Sequence, residues 1–275
     1  MSFAERTVKV SGISLHYLDW GPAEAPAVVL LHGITGHARV WDHLAERLVP
    51  GRRVLALDQR GHGDSDPAPD DDYRVATMAD DVAAFAGSLR LDRFALVGHS
   101  MGGRIAIKYG ADHAARLERL VIVDIGPDIA LAGLQRVRDM MSQSPERIES
   151  EEWAFEYLRR ASPLQDPGLL RARIHHGLKR LPDGGLTWKY AKGLRDMMRQ
   201  GRRDAVDLWE PLARIPCPTL IVRGAESDIL SPEVAKKMAE RLPDGRVVEI
   251  ARAGHTVPAD RPDEFVSQLR AFLDA

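Results

Sequence analysis

Short runs rich in Val, Ile and Leu alternate with segments of helical period along most of this chain, and that alternation narrows its choice of fold more than any other feature. The strand-like runs are Thr7–Val10, Ser14–Leu18, Ala27–Leu31, Arg53–Leu57, Arg93–Val97, Leu120–Val123, Thr219–Val222 and Arg246–Ile250. Helices are predicted between them at Val40–Leu48, Met78–Leu89, Met101–His113, Pro232–Leu242 and Pro262–Leu273. Two leading strands suited to a hairpin, followed by strand and helix in turn, call for a mostly parallel eight-stranded sheet with helices on both faces. One stretch breaks the pattern. From 127 to 211 the strand signals vanish, and amphipathic helices are punctuated by Ser144-Pro145, Ser162-Pro163, Asp166-Pro167-Gly168 and Pro182-Asp183-Gly184-Gly185. Strands resume after Cys217-Pro218, so 127–211 reads as a helical cap on an α/β core made of 1–126 and 212–275. The insertion follows a strand's C-terminal end, where open α/β sheets place their ligands.

Composition excludes several classes of function. With 275 residues, 44% apolar and 28% charged, the chain can bury a sizeable core, and its net charge of -2 offers no general attraction to nucleic acid or anionic membrane. Cys217 is the single cysteine, which rules out an internal disulfide and any zinc site built on several thiolates. The opening MSFAERTVKV has no apolar core of signal-peptide length, and nowhere do 18 apolar residues run together. The expectation is a cytoplasmic protein, monomer or homodimer, acting on a small molecule without metal or cofactor.

Leu96-Val97-Gly98-His99-Ser100-Met101-Gly102-Gly103 crowds glycines around one serine, between the strand-like RFALV and the helix-like GRIAIKYGADH. This is G-x-S-x-G in the strand-turn-helix setting of a nucleophile elbow. A serine on so sharp a turn needs neighbours without side chains. The helix N-terminus then directs N–H groups and partial positive charge at an oxyanion formed when Ser100 attacks a carbonyl.

The hydroxyl needs a base. Of ten histidines, His255 in Ala253-Gly254-His255-Thr256 is best placed, after the last strand and in the Ser, acid, His order of this architecture. His99 adjoins the serine and is taken as lining the site, with its ring turned from the reaction, while His32 and His62 sit in glycine loops that they shape. His175 and His176 are adjacent on a helix and diverge, so they do not make a metal pair. The loop Leu31-His32-Gly33-Ile34-Thr35-Gly36 supplies a second oxyanion donor: Gly33 lets the Ile34 N–H turn towards the site beside that of Met101.

In LLHGITG, LDQRGHGDSD, LVGHSMGG, VDIGP, LIVRG and AGHTVPADRPDEF the chain resembles the α/β-hydrolase fold superfamily over nearly its whole length. The resemblance implies structural roles for Asp58 and Arg60, and it implies an acid partner for His255. Two aspartates compete for that role. Asp228 follows the seventh strand, the commoner location, but falls one place late, where Ser227 holds the usual position. Asp124 ends the sixth strand, from which some branches take their acid. The VDIGP segment with a later serine is similar to esterases and (acetamidomethylene)succinate hydrolase-type enzymes, and the reading favours Asp124 with Asp228 as the alternative.

Specificity is expected from the insertion, with Trp153 and Trp188 as substrate contacts among its aromatic residues Phe155, Tyr157, Tyr190 and Trp209. Between Gly168 and Arg203, ten Lys and Arg face two aspartates, a local balance of +8. Most of these belong to solvated helix faces, and one or two arginines turned inward would suit a carboxylate-bearing substrate. The implied activity is a serine hydrolase of small esters, lactones or amides. The alternatives are a C–C bond hydrolase of the same fold, from which His99 and Thr256 depart, and a non-catalytic receptor on the same scaffold.

Overall fold

The computed structural model describes residues 3–200, 204 and 206–275. Its strands are β1 (Phe3–Val10), β2 (Ile13–Trp20), β3 (Ala27–Leu31), β4 (Arg53–Leu57), β5 (Phe94–His99), β6 (Leu117–Val123), β7 (Leu178–Arg180), β8 (Leu186–Trp188), β9 (Thr219–Gly224) and β10 (Gly245–Ile250). The helices are α1 (Asp42–Leu48), α2 (Val75–Ser88), α3 (Met101–Asp112), α4 (Leu131–Gln143), α5 (Glu151–Ala161), α6 (Pro167–Gly177), α7 (Lys192–Arg199), α8 (Trp209–Leu212), α9 (Pro232–Arg241), α10 (Val257–Asp260) and α11 (Pro262–Leu273). No described helix is long and apolar enough to cross a membrane.

Eight strands form one sheet in the order β1-β2-β4-β3-β5-β6-β9-β10. The β1–β2 hairpin and the β2–β4 pair are antiparallel, and every later pair is parallel. Side chains on a strand point alternately to its two faces. Val29, Leu31, Leu96, Leu120 and Ile122 therefore join the core under α2, α3 and α9, while Val28, Leu30, Val97, Val121 and Val123 join the core under α1 and α11. The chain passes from β3 to β4 on one side and returns to β5 on the other, so the order reverses at β3. The crevice beyond the C-terminal ends of β3 and β5 is the ligand position this topology favours.

Between β6 and β9 the chain leaves the sheet, and α4 to α7 close around a small core of their own that includes Met141, Leu158, Leu170, Ile174 and Trp188. α8 ends this excursion with Leu208 and Leu212 packed in the sheet core. The segment is not wholly helical: β7 and β8 pair antiparallel, Leu178 opposite Trp188 and Arg180 opposite Leu186, around Pro182-Asp183-Gly184-Gly185. Gly184, at φ +83°, takes the left-handed place in the turn. Three-residue strands are too short to display an alternation, which is why the sequence pattern shows only the turn. β1 also starts earlier than the run at Thr7, because Phe3 pairs with Trp20 and packs a tilted ring against it at 5.2 Å.

Candidate active site

Ser100 ends the turn from β5 into α3 with φ 53° and ψ -117°, a left-handed setting that β-carbon-bearing residues seldom take. Glycines make the turn possible by letting backbone meet backbone. A Cβ on Gly98 would lie 2.3 Å from the Gly102 carbonyl oxygen, and one on Gly102 would lie 2.5 Å from that of Leu31. The Ser100 N–H bonds to the Val123 carbonyl at 3.0 Å, tying the turn to β6. Met101 is the first residue of α3, so the helix offers its N–H no carbonyl one turn back.

The loop after β3 closes against this turn. A Cβ on Gly33 would sit 3.1 Å from the Ser100 Cβ and 3.0 Å from His99 Nδ1. The Gly36 N–H bonds to the Gly33 carbonyl at 2.9 Å and leaves the Ile34 N–H outside that bond. Thr35, next to Ile34, is left-handed at φ 65°.

His255 lies between β10 and α10. Its Nε2 is 2.9 Å from Ser100 Oγ and its Nδ1 is 2.9 Å from Asp124 Oδ2. A carboxylate only accepts, so Nδ1 carries the hydrogen and the Nε2 lone pair faces the serine hydroxyl. Asp124 is fully buried, and both its oxygens are engaged. Oδ1 accepts the Gly224 N–H at 2.9 Å, and Oδ2 also accepts the Ser227 hydroxyl. Ser227 Oγ in turn accepts the N–H groups of Ile229 and Leu230 at 3.1 and 3.2 Å. Asp228 goes elsewhere: Arg136 grips it through Nε at 2.6 Å and Nη2 at 2.7 Å and holds its carboxyl below the ordinary range. The structure thus brings Asp124 to His255 and gives Asp228 to Arg136.

The neighbouring histidines are bonded and neutral. His99 Nε2–H donates to the His255 carbonyl at 2.9 Å, and burial, reinforced by the His255 ring, pushes its pKa down to about 3. His32 Nδ1 bonds to the Gly33 carbonyl, and His62 Nδ1 bonds to that of Arg60. Burial lowers the pKa of both, that of His62 to about 4. Asp58 accepts the N–H groups of Ala38 and Asp64 and pairs with His16 at 2.8 Å, while Arg60 pairs with buried Asp81. These contacts tie the loop after β4 to the segment that follows β3.

Above Ser100 lies a cavity of about 120 Å³, bordered among others by Ile34, His99, Met140, Arg173 and Thr256. A second, of about 370 Å³, shares Arg136, Ser162, His255 and Thr256 with it. The two tryptophans expected at the substrate border neither of these. Trp153 stacks on Tyr157 at 4.9 Å, and Trp188 is buried with Nε1 donating to Ser144 Oγ at 2.7 Å. Their apolar faces close on the excursion's own core, where they remove more surface from water than a wet cleft would. His175 bonds to Glu151 and His176 meets Arg39, with the two rings edge to face at 5.0 Å.

Among the described basic residues of the 168–203 segment, Arg173 is the one that borders the cavity over Ser100; Arg202 and Arg203 lie outside the described residues. The others include Arg171, paired with Glu152, Lys189 with Asp64 and Lys192 with Asp196. Helical period held the signal for Arg173. It shares a face with Leu170, Ile174 and Gly177, the buried stripe of α6.

A family model described as the alpha/beta hydrolase family matches residues 28–268. The chain is 32% identical over 268 residues to N-formylmaleamate deformylase of Pseudomonas putida, covering 97% of this chain and 95% of that one. It is 29% identical to 2-(acetamidomethylene)succinate hydrolase of Mesorhizobium japonicum, covering 99% and 96%. The crystal structure of E-2-(acetamidomethylene)succinate hydrolase superposes with a TM-score of 0.91 at 29% identity over the whole of both chains.

Proposed function

The chain belongs to the α/β-hydrolase family and is a hydrolase, and on that footing we propose that it cleaves a small ester, lactone or amide through an acyl-enzyme on Ser100. The observation that carries this reading is the unbroken line Ser100 Oγ, His255 Nε2, His255 Nδ1, Asp124 Oδ2, each contact 2.9 Å. His255 takes the hydroxyl proton as Ser100 attacks the carbonyl carbon and passes it to the leaving alcohol or amine. Asp124 holds the imidazole in the required tautomer and steadies the imidazolium. The N–H groups of Ile34 and Met101 receive the oxyanion. His255 then activates water, whose attack releases the acid and frees Ser100. Residues 127–211 act as the cap that shapes the acyl pocket. Among the carbonyl classes, the amide gains support from the deformylase relative, whose name denotes removal of a formyl group from an N-formyl compound.

Stopped-flow hydrolysis of p-nitrophenyl acetate tests the reading. The wild type should give a burst followed by turnover, and Ser100→Ala should give neither. Turnover that survives in Ser100→Ala would refute the acyl-enzyme, and a wild type inert to activated esters would favour a binding protein on this scaffold.

A further inference from the structure

Among the described residues, three arginines border the cavity above Ser100: Arg39, Arg136 and Arg173. Two are neutralised. Arg39 pairs with Asp42 at 2.9 Å, and Arg136 clasps Asp228 through two nitrogens. Arg173 has no carboxylate partner among the described residues. Its Nη2 donates to Thr35 Oγ1 at 2.9 Å, and its Nε and Nη1 make no hydrogen bond there. A guanidinium carries five N–H donors in a planar fork, so most of this one's capacity is unused.

Its surroundings are unfavourable to an unpaired cation. Burial pulls its pKa below the ordinary guanidinium value, no Asp or Glu opposes that shift, and the Tyr190 phenol, itself raised by burial, is uncharged near neutral pH. Its charge also bears on His99 and His37, which places the guanidinium electrostatically against the nucleophile turn. The side chain is held from behind as well: the Arg173 carbonyl accepts His37 Nε2–H at 2.8 Å, and Thr35 belongs to the loop that carries Ile34. A half-buried cation that the fold positions without neutralising favours an anion from outside. The planar fork matches a carboxylate better than a single-point anion does.

We infer that Arg173 is a carboxylate anchor, so that the preferred substrate is a small ester or amide bearing a free carboxylate on the part that enters the cavity beside Thr35. The inference rests on the acyl-enzyme reading of Ser100, and its test separates the two. Each monoanionic p-nitrophenyl ester of fumaric, glutaric and adipic acid is assayed beside its neutral methyl ester, with spontaneous hydrolysis subtracted. In the wild type, kcat/KM for at least one anionic ester should exceed that of its methyl ester by about 10- to 100-fold, the range of a charge-assisted hydrogen-bonded pair. In Arg173→Gln that ratio should fall to within about threefold of unity, and Arg173→Lys should recover only part of it because a point charge replaces a fork.

A wild-type ratio near one for all three pairs, with neutral esters still turned over through Ser100, would overturn the anchor and leave the acyl-enzyme standing. The anchor is overturned equally if Arg173→Gln slows both members alike and leaves the ratio unchanged. Should Arg173→Gln fail to fold, the wild-type ratio decides alone. Loss of the acyl-enzyme reading shows separately, as turnover of neutral esters by Ser100→Ala.

Discussion

Mild acid should weaken this fold through its buried neutral histidines. His37, His62 and His99 are buried and neutral, with pKa values lowered by burial to about 4, about 4 and about 3. In the unfolded chain each returns to 6.5. Between these values the unfolded state holds protons that the folded state refuses, so stability is present above about pH 6.5 and is lost as pH falls towards 4. Going from about pH 7.5 to about pH 5, each such histidine removes about 2 kcal/mol. Asp42 acts the other way: burial raises its pKa to about 6, and its neutral folded form returns about 1 kcal/mol over the same interval. Asp58 and Asp228 are held low and titrate below this window. For His37, His62, His99 and Asp42 together the loss is roughly 4 to 5 kcal/mol, a large share of the ~5–15 kcal/mol typical of a folded domain, with lowered His32, His43 and His176 adding to it and raised His16, Asp81 and Asp260 subtracting. Urea unfolding read by fluorescence and circular dichroism should show the midpoint falling by roughly 1.5 M if m is ~3 kcal/mol/M. His37→Gln keeps an N–H for the Arg173 carbonyl but cannot titrate, so its loss over the same interval should be smaller by about 2 kcal/mol. A flat midpoint in the wild type, or an unchanged pH dependence in His37→Gln, would refute the reasoning.

Two further outcomes follow from the acid side of the site. Asp124→Asn should lower kcat by about 10⁴-fold, as loss of the imidazole's orienting carboxylate does elsewhere, while Asp228→Asn should stay within about tenfold of wild type; steady-state kinetics with an activated ester decides, and the reverse order would transfer the role to Asp228. Ser227→Ala removes one donor from Asp124 and strands the Ile229 and Leu230 N–H groups. It should lower kcat by roughly 5- to 30-fold and stability by about 1–3 kcal/mol, and full activity with an unchanged melting temperature would show Ser227 to be incidental.

What the sequence makes legible are features enforced by local backbone. Gly98 and Gly102 have to be glycines because each sits against a backbone carbonyl, Gly98 against that of Gly102 and Gly102 against that of Leu31, so the turn that carries Ser100 is visible as a spacing. The sheet is visible because central parallel strands are apolar along their whole length. Asp124 and Asp228 are harder to separate, since both follow a strand end and their difference lies in what arrives from elsewhere. Arg136 comes from α4, and Ser227 comes from the loop after β9. Trp153 and Trp188 are ambiguous because an aromatic residue on an amphipathic segment marks a buried face without saying whose: both join the excursion's core, and Trp188 also lines a small pocket with Thr35, Met140 and Arg173. Arg173 carries the opposite lesson: its helical position already placed a charge on a buried stripe, and only the three-dimensional fold shows that this stripe edges the cavity over Ser100 with no acid beside it.

β6 and β9 lie side by side, with Val123 opposite Val222, although the whole excursion separates them in sequence. The excursion therefore departs from and rejoins the sheet at adjacent rungs, and the ladder on either side is indifferent to how long it is or what it contains. If the excursion acts as the proposed cap, such an arrangement lets recognition drift while the reacting groups keep their places: transplanting a different excursion would then exchange the substrate and leave the chemistry in register. The Arg173 to Thr35 hydrogen bond is a seam between the two parts, and a graft that failed to rebuild it would inherit the machinery without its address.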